Sequence, residues 1–570
     1  MNKIELLSPV GSLANLKAAI ASGADSVYLG MNKFNAREFA INFNPDYFKE
    51  AVNLCKSNNV RLFLTMNTLI KNSEINEFFR DLSFAYKEGI DSVIIQDPSF
   101  IEIIKKSFPG LHIHMSTQAG VMNSSHANLF SDAKRIVLAR ELNKENLRSI
   151  RKNVQSELEI FIHGALCVCV SGSCLFSSFI GGRSGNRGKC AQPCRKRYNN
   201  CFYLSTKELC LIEQIPELIK LGIDSLKIEG RMRTPYYVAT TTGIYRKAID
   251  DYYNNHFKIT PETKDKLATA FSRDFTKGCY CSENIFNQRQ AQGSSDVVKQ
   301  NYEVKSKIVK LEKRSPRLQL PEIKCKASKQ KRLLVRVYNK KDAVLASNAG
   351  ADLIYYDLFA KDFEEVKNLL KVPLYAVTPR LMFDSDLNLI EKTIKQKNPE
   401  GLLAGNMGIL NLKLDKKIQI HLDYNCNCFN DYSVAYLEGL GTFPLISPEL
   451  SIKEQTEFKN KNFATLVHGK LRLMTLAHLL PQGIIADEKG FKFKVSKIYN
   501  GCEILNEKEL GLFNKSKNLL SSGINNFFID TDKNVSEIVN IYRQILDGKT
   551  IDVSKIKNDY VLGWSEKGVL

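Results

Sequence analysis

The sequence predicts an α/β protein in which an N-terminal (β/α)8 barrel of the TIM type precedes a second, degenerate barrel-like α/β repeat. In the first half, β-branched apolar runs alternate with amphipathic helical stretches. Several short motifs of the first half return in the second half in the same order. A doubly wound open sheet is the alternative, but no G-x-G-x-x-G fingerprint near the start supports it.

The predicted strands of the first barrel are short apolar runs, with helical patterns such as Ser12–Ser22 and Pro45–Lys56 between most of them. The strands are Ile4–Leu7, Ser26–Leu29, Arg61–Thr65, Ser92–Gln96, His112–Ser116, Arg135–Ala139, Glu159–His163 and Ser225–Glu229. Gly23-Ala-Asp25 is typical of a helix end followed by a strand, and similar triplets begin at Gly89 and Gly222. Eight βα units in about 250 residues are typical of a (β/α)8 barrel.

The second half repeats the order of the first. The matched pairs are Gly23–Gly30 with Gly350–Asp357, His114 with His421, Asn123 with Asn430, Phe161–Gly164 with Leu466–Gly469, and Lys207 with Lys508. The offset between partners falls only from 327 to 301 residues, so the spacing is kept. Ordered matches of this kind indicate a duplicated barrel.

A chain of 570 residues is too long for one hydrophobic core. We expect a first barrel over residues 1–255 with a cysteine-rich lid at 164–205, and an extension of this domain over 256–298. A Lys-rich linker over 299–331 and a second barrel-like domain over 332–570 follow. Lys299–Arg332 contains 12 basic and three acidic residues, which favours a solvated linker over an RNA-binding arm.

The formal net charge of +20 favours phosphate-rich partners, although a Lys-rich and Asn-rich surface accounts for it equally well. Glu5 interrupts the apolar run that a signal peptide needs, and no apolar segment approaches the ~18 residues of a membrane span. We therefore expect a cytoplasmic protein without a membrane partner. In that reducing compartment, clustered cysteines are more often metal ligands or catalytic groups than disulfides.

Four of the 14 cysteines lie within 28 residues, spaced C-x6-C-x15-C-x3-C among glycines and basic residues. They are Cys167, Cys174, Cys190 and Cys194. A closed zinc site usually has two short C-x2-4-C pairs, whereas this segment has one, so the spacing favours an iron–sulfur cluster while zinc stays the alternative. Cys169, and less readily Cys201, could replace one of the four. No cysteine cluster occupies the matching part of the second repeat, so chemistry is expected in the first barrel.

Active sites of such barrels form at the C-terminal ends of the strands, and the cysteine-bearing segment leaves the seventh strand at that face. The candidate catalytic residues there are Asp97, His163 and Glu229. The candidate substrate-binding residues are Asn67, Gln118, Arg140, Arg231, Arg183 and Arg187, of which the last two flank the cysteines.

Structural roles compete with these assignments. His163 recurs as His468 in the repeat, which lacks the cysteine cluster. A structural hydrogen-bonding role for His163 is therefore at least as well supported as a catalytic one. Asp97 could cap a helix, and Glu229 could pair with Arg231. Arg140 is the best candidate for holding a small anion, because its planar guanidinium suits carboxylates.

The cysteine segment and its surroundings resemble the collagenase-like peptidase family U32. The residues that carry the resemblance are Glu159–Cys167, Ser171–Ser177, Gly181–Arg195, Leu226–Arg233 and Arg273–Gly278, with Leu445–Leu450 in the second half. Length and charge are most similar to the longer two-part members, which include a ribosomal-RNA 5-hydroxycytidine synthase. Those relatives carry a β-rich module between the halves, where only the Lys-rich segment stands here.

The resemblance implies hydroxylation of an aromatic ring that depends on a 4Fe–4S cluster and on prephenate as co-substrate. Its RNA substrates would be an rRNA cytidine or a tRNA uridine, and a basic barrel mouth suits a flipped pyrimidine. A peptidase is the alternative, but the chain has no H-E-x-x-H or G-x-S-x-G motif. A non-catalytic RNA-binding protein is the second alternative.

Overall fold

The computed structural model describes residues 3–270, 273–287, 302–309, 314–328, 330–549, 551 and 560–570. The chain divides into two compact units. The first contains residues 1–69, 74–172 and 185–320, and the second contains residues 70–73, 173–184 and 321–570. The predicted boundary at 298/299 lies outside the described residues.

The first unit contains a closed barrel of eight parallel strands, which confirms the predicted fold. The strands of its sheet are β1 (Glu5–Pro9), β2 (Ser26–Leu29), β3 (Arg61–Met66), β4 (Ser92–Ile95), β5 (His112–Met115), β6 (Arg135–Val137), β7 (Glu157–Ala165), β8 (Glu208–Cys210), β9 (Ser225–Ile228) and β10 (Phe275–Thr276). Strand β9 pairs with both β7 and β1 and so closes the barrel. Strands β8 and β10 are additions outside it, with β8 antiparallel to β7.

Helices follow most barrel strands. They are α1 (Leu13–Ala21), α2 (Pro45–Ser57), α3 (Ile75–Glu88), α4 (Phe100–Ser107), α5 (Ser124–Asn128), α6 (Lys144–Asn153), α7 (Phe176–Gly181), α8 (Ile215–Leu221), α9 (Pro235–Tyr253) and α10 (Pro261–Ala270). Individual residues determine where the helices begin and end. The Asn44 side chain caps α2, and Gly89 ends α3 in the left-handed conformation.

The barrel interior combines an apolar layer with an ionic one. Leu7, Tyr28, Phe63 and Ile94 form a buried cluster. Near the N-terminal ends of the strands, Arg135 pairs with Glu5 at 2.6 Å and with Glu159 at 3.0 Å, and all three side chains are buried. Lys227 donates to Glu159 at 2.8 Å. Because each of these buried charges has an opposite charge within hydrogen-bonding distance, the ionic layer is compatible with burial.

The second unit contains a curled sheet with eight parallel strands and one antiparallel strand. Its strands are β11 (Arg332–Arg336), β12 (Leu353–Asp357), β13 (Leu374–Val377), β14 (Gly401–Ala404), β15 (Gln419–Leu422), β16 (Thr442–Pro444), β17 (Thr465–Gly469), β22 (Leu510–Gly511) and β23 (Asn526–Asp530). Between β16 and β17, a single bridge joins Leu445 to Ala464. Strand β22 is antiparallel to β17 as β8 is to β7, which confirms the predicted degenerate repeat.

A four-stranded antiparallel sheet, which the sequence did not predict, lies between β17 and β22. It consists of β18 (Arg472–Leu476), β19 (Gly483–Ala486), β20 (Lys492–Ile498) and β21 (Gly501–Asn506). The helices of the second unit are α11 (Lys340–Asn348), α12 (Phe363–Leu369), α13 (Asp384–Lys397), α14 (Asp431–Gly439), α15 (Ile452–Thr456), α16 (Ser516–Ser521) and α17 (Val535–Leu546). Among the described residues, no helix is both long and apolar enough to cross a membrane.

Part of the predicted cysteine-rich lid belongs to the second unit. Within residues 173–184, the Leu175 amide donates to the Leu473 carbonyl at 2.8 Å, and the Phe176 ring packs edge-on against Phe493. The Ser178 hydroxyl bonds to the buried Glu449 carboxylate. This segment is therefore an integral element of the second unit's core.

The described part of the Lys-rich segment before residue 321 forms a strap on the first unit. The Val309 amide donates to Asn53 at 3.0 Å, and the Arg317 amide donates to the Ser107 carbonyl at 2.7 Å. The segment has no regular strand or helix over 302–309 and 314–320, yet its backbone is hydrogen-bonded to the barrel's outer helices. It differs in this respect from the solvated linker that its composition indicates.

Candidate active site

The predicted polar residues lie after the C-terminal ends of the first barrel's strands, where the cysteine-bearing segment also begins. Glu229, which follows β9, accepts from Arg37 Nε at 3.1 Å and forms an ion pair with Arg37 Nη2 at 3.0 Å. Burial works against the carboxylate charge, yet Arg37, Arg140 and Arg231 hold the pKa of Glu229 below its usual value. Glu229 is thus an ionised acid within a positive surrounding.

The loop that carries Arg37 joins this acid to the cysteine segment. The pKa of Arg37 is raised, chiefly by the charge of Glu229. Glu38, the next residue of the loop, pairs with Lys189 of the cysteine segment at 3.5 Å. The loop therefore contacts both the acid and the cysteine segment at the C-terminal face. The sequence analysis missed Arg37, because it lies within a loop after β2 rather than directly at a strand end.

Arg231 is buried and bound to neutral oxygens rather than to Glu229. Its Nη1 donates to Asn35 at 3.0 Å and to Thr65 at 3.1 Å, and its Nη2 donates to Asn42. Burial lowers the pKa of Arg231 to about 10. The predicted alternative of a Glu229–Arg231 pair is therefore replaced by the Glu229–Arg37 pair, and Arg231 holds the loop that carries Arg37.

Arg140 holds the start of the cysteine-bearing segment. Its Nη1 donates to the Ala165 carbonyl at 3.0 Å and its Nη2 to the Ser171 hydroxyl at 2.8 Å. The guanidinium lies 5.1 Å from the centre of the Phe161 ring. Its Nε has no hydrogen-bond partner among the described residues, so this arginine keeps one donor for a ligand.

Glu141, the next residue, has the most unusual ionisation at this face. Its side chain is buried, and Oε2 has no hydrogen-bond partner in the described part of the chain. Burial raises the pKa of Glu141 to about 7, with Arg140 opposing. A carboxyl group that titrates near neutrality suits proton transfer. The sequence places Glu141 with Arg140 at the end of a predicted strand but does not indicate its role.

Asn67 and Gln118 are the remaining predicted residues at the strand ends, and both have polar amide side chains. Asn67 Nδ2 donates to the Ser116 hydroxyl at 3.1 Å, while its Oδ1 accepts from the Ala36 amide at 3.1 Å. Gln118 lies in a short 3-10 helix, half-exposed, and its carbonyl accepts from Gln96 at 3.2 Å. These residues can orient a bound molecule through amide groups.

Asp97 has a structural function in the loop before α4. Its Oδ1 accepts from the Ser99 amide at 2.9 Å and from the Ser99 hydroxyl at 2.6 Å. The helix cap itself is Ser99 rather than Asp97. The carboxylate therefore shapes the turn that leads into the helix.

His163 lies in an aromatic cage. Its Nδ1 is 3.3 Å from the Tyr245 hydroxyl, and the rings of Tyr237 and Phe275 pack against it. Burial lowers the pKa of His163 to about 3, so the imidazole is neutral. His468 of the second unit is surrounded in the same way, by Tyr542, Phe513 and Tyr560.

The two arginines near the cysteines differ. Arg187 makes a two-pronged pair with Glu74, at 2.9 Å from Nη1 and 2.7 Å from Nη2, and also donates to the Leu69 carbonyl at 2.8 Å. Arg183 is half-exposed and belongs to the segment assigned to the second unit. Arg187 thus anchors the cysteine segment rather than presenting a free guanidinium.

The four candidate metal ligands differ in exposure. Cys167, Cys174 and Cys194 are half-buried and Cys190 is exposed. Cys174 lies in the segment of the second unit, and the other three lie in the first. Among the described residues, no three His, Cys, Asp or Glu side chains are arranged to hold a metal ion. Four thiolates are the donor set that an iron–sulfur cluster takes.

Known proteins resemble the first unit above all. A model of peptidase family U32 matches residues 11–290. An uncharacterized protease of Methanocaldococcus jannaschii is 37% identical over 302 residues, which cover 49% of this chain and 74% of the relative. A tRNA hydroxylation protein of Bacillus subtilis is 33% identical over 341 residues, covering 55% of this chain and 81% of the relative.

A third relative, the 23S rRNA 5-hydroxycytidine synthase of Escherichia coli, is 36% identical over 262 residues, covering 44% of this chain and 40% of the relative. The match of the family model, together with 37% identity over most of the archaeal relative, determines the family. The chain belongs to peptidase family U32.

Proposed function

We propose that this protein hydroxylates a pyrimidine base in RNA at the C-terminal face of its first barrel. The observation that carries the proposal is the ion pair of Glu229 with Arg37 at that face, in a loop that Glu38 and Lys189 join to the cysteine-bearing segment. Relatives named for tRNA hydroxylation and for 5-hydroxycytidine synthesis in rRNA are 33% and 36% identical to this chain over 341 and 262 residues. An RNA substrate would place the protein in the cytoplasm.

The positive charge of the site suits a phosphate-bearing substrate. A pyrimidine must leave its stack to reach a barrel mouth, and the amide groups of Asn67 and Gln118 can bond to its polar edge. Ionised Glu229 can accept a proton, and Glu141, with its pKa of about 7, can donate or accept one. The site thus contains groups for binding and for proton transfer.

The cofactor proposal is a 4Fe–4S cluster held by Cys167, Cys174, Cys190 and Cys194. Four cysteines within 28 residues, set among basic residues, support it. Protein purified without oxygen is expected to contain about four irons per chain. Colourless protein with a single zinc would contradict this proposal and favour the zinc alternative.

Prephenate is proposed as the anionic co-substrate. It carries two carboxylates, and Arg140 offers the unpartnered Nε beside Ser171. Arg140→Lys should raise the concentration of prephenate needed for half-maximal hydroxylation in vitro, because lysine has no Nε–H donor that stays available while the end of the side chain bonds to Ala165 and Ser171. Unchanged prephenate dependence would place the co-substrate elsewhere.

The decisive test is mass spectrometry of nucleosides from rRNA and tRNA of a strain lacking the gene. We expect one hydroxylated pyrimidine to disappear and to return with the intact gene but not with Glu229→Gln. An unchanged nucleoside profile, together with cleavage of denatured collagen by the purified protein, would instead favour the peptidase. An unchanged profile with tight, salt-sensitive RNA binding would favour the non-catalytic alternative.

A further inference from the structure

A cavity of about 160 Å³ opens at the N-terminal end of the first barrel, the end opposite to the proposed active face. Its walls come from the first residues of consecutive strands β3 to β6 and from the strap. The lining residues are Arg61, Phe63, Asp91, Ser92, Gly110, His112, His114, Lys134, Arg135 and Arg314. Four cations and one carboxylate therefore face this space.

Carboxylates outside the cavity already balance several of these cations. Glu5 pairs with Arg61 and Arg135, and Glu157 lies 3.6 Å from Lys134. The single lining carboxylate, Asp91, is matched by the ammonium group of Lys56 at 2.7 Å. These pairs hold the walls of the cavity without cancelling every positive charge.

Arg314 carries the charge that the described carboxylates do not balance. Its Nη1 donates to the Ile90 carbonyl at 2.7 Å, and its guanidinium lies 5.6 Å from the centre of the Tyr86 ring. No described carboxylate forms an ion pair with it. A guanidinium fixed by a carbonyl and a ring keeps further N–H donors for an anion.

His114 is a second, independent indication that this cavity binds an anion. Its side chain is 1% exposed and lines the cavity, and its Nδ1 finds no hydrogen-bond partner within the described ranges. A buried polar nitrogen without a partner is costly unless something else bonds to it. Burial, reinforced by the nearby Arg135 and Lys227, keeps the pKa of His114 well below its usual value. The imidazole is therefore neutral, and one of its nitrogens can donate to an anion.

The size of the cavity restricts the ligand. A volume of about 160 Å³ is close to that of a cavity of about 150 Å³ known to hold benzene, and far above the space for one water. Phe63 supplies an aromatic wall, with Arg135 5.5 Å from its ring centre. The space therefore suits an anionic group with at most one ring attached.

We propose that this cavity is a binding site for a small anion bearing a phosphate or carboxylate group, with Arg314 of the strap as its closing ligand. Binding would draw Arg314 inward and hold the strap to the barrel. The segment that composition identifies as a linker would then have a ligand-dependent attachment. This inference does not rest on the proposed hydroxylation.

The experiment is calorimetric titration of the full chain with inorganic phosphate and, separately, with benzoate, at constant ionic strength. We expect at least one of the two anions to bind saturably, with one equivalent per chain. The ratio of the two dissociation constants then shows whether the site prefers a phosphate or a carboxylate group. Arg314→Gln should weaken that binding by about tenfold or more, because a charge-assisted hydrogen bond is lost. Arg314→Lys, which keeps the charge, should weaken it less.

Arg317→Gln is the matched control. This arginine belongs to the same strap, is exposed, and does not line the cavity. Its backbone bond to Ser107 survives the substitution. Equal losses in Arg314→Gln and Arg317→Gln would mean nonspecific charge attraction and overturn the proposal, as would no saturable binding of either anion. Because phosphate and benzoate are titrated without RNA, failure of the hydroxylation proposal would leave this result untouched.

Discussion

The segments that follow β7 in the first unit and β17 in the second occupy the same place in two copies of one barrel topology. The first carries four clustered cysteines, and the second forms the antiparallel sheet β18–β21. Both end at a short strand antiparallel to the one they left. The comparison teaches that the scaffold was kept while the insertion at one strand end was free to diverge.

The acids at the end of the last barrel strand show the same contrast. Glu229 pairs with Arg37, whose side chain is 34% exposed. Asp530 is fully buried and bonded to Arg472 from the inserted sheet and to the Tyr338 hydroxyl at 2.5 Å. Although burial opposes its charge, Arg472 lowers the pKa of Asp530 to about 2. In the second copy, buried structural partners surround the acid, whereas in the first its partner is a partly exposed arginine.

The largest loss of activity is expected from a substitution in the cysteine segment. Cys190→Ser is expected to abolish iron binding and reduce the hydroxylated nucleoside to background, because loss of one thiolate opens the cluster. Iron content and nucleoside mass spectrometry measure both. Cys201→Ser is the control, since Cys201 is also exposed and its thiol donates to the Tyr198 carbonyl at 3.3 Å. If Cys190→Ser kept full activity, the cysteines would not give the segment after β7 a chemical role that the segment after β17 lacks.

Exchanging each acid for its amide sharpens the contrast. Glu229→Gln should lower the hydroxylation rate by about a hundredfold or more, if its carboxylate transfers a proton, with little loss of stability. Asp530→Asn should instead cost about 3 kcal/mol of unfolding free energy, because it removes one of the two carboxylates that pair with the buried Arg472 and leaves only Glu503. Rate measurements and urea unfolding of both variants separate the two roles. The reverse pattern would assign the chemistry to the second unit.

Glu141 should make stability depend on pH. Its folded-state pKa of about 7 lies above the reference value of 4.5, so the folded chain holds a proton that the unfolded chain releases. The stabilisation is present below pH 4.5 and is lost progressively as pH rises toward 7, by at most about 3 kcal/mol. Urea unfolding at pH 5 and pH 7.5 should show this decrease in the native chain and a smaller one in Glu141→Gln. An identical decrease in both would assign it to other groups.

The smallest effect is expected at His163. Because its ring is neutral and enclosed by aromatic side chains, as that of His468 is, His163→Phe should change stability by less than about 1.5 kcal/mol. Hydroxylation should stay close to that of the native protein. A large loss of activity with unchanged stability would restore a catalytic role and break the equivalence of the two histidines.

The sequence was sufficient to predict the first barrel because most of its strands are short apolar runs, several of them next to a turn signal. The sheet β18–β21 was missed although Asn500-Gly501 is a hairpin signal and Lys492–Ile498 alternates polar and apolar residues. The motifs that repeat between the two halves do not include these strands, so the repeat does not predict them.

Strand ends also located the candidate site, since side chains there face one end of a barrel. Their partners were not predictable: Glu229 meets Arg37 across 192 residues of sequence, and no local pattern encodes such a pair. For the same reason, the pairing of Arg187 with Glu74 and the enclosure of Arg231 by amide oxygens needed the structure.

The assignment of residues 173–184 to the second unit has a consequence for biosynthesis. The first barrel can fold while the ribosome is still translating the second half, since domains fold as units from the N-terminus. The Ser178 hydroxyl, however, bonds to a carboxylate 271 residues further along the chain. The stretch containing Cys174 therefore acquires its final neighbours only late in synthesis, and maturation of this thiol must wait for the C-terminal half to emerge.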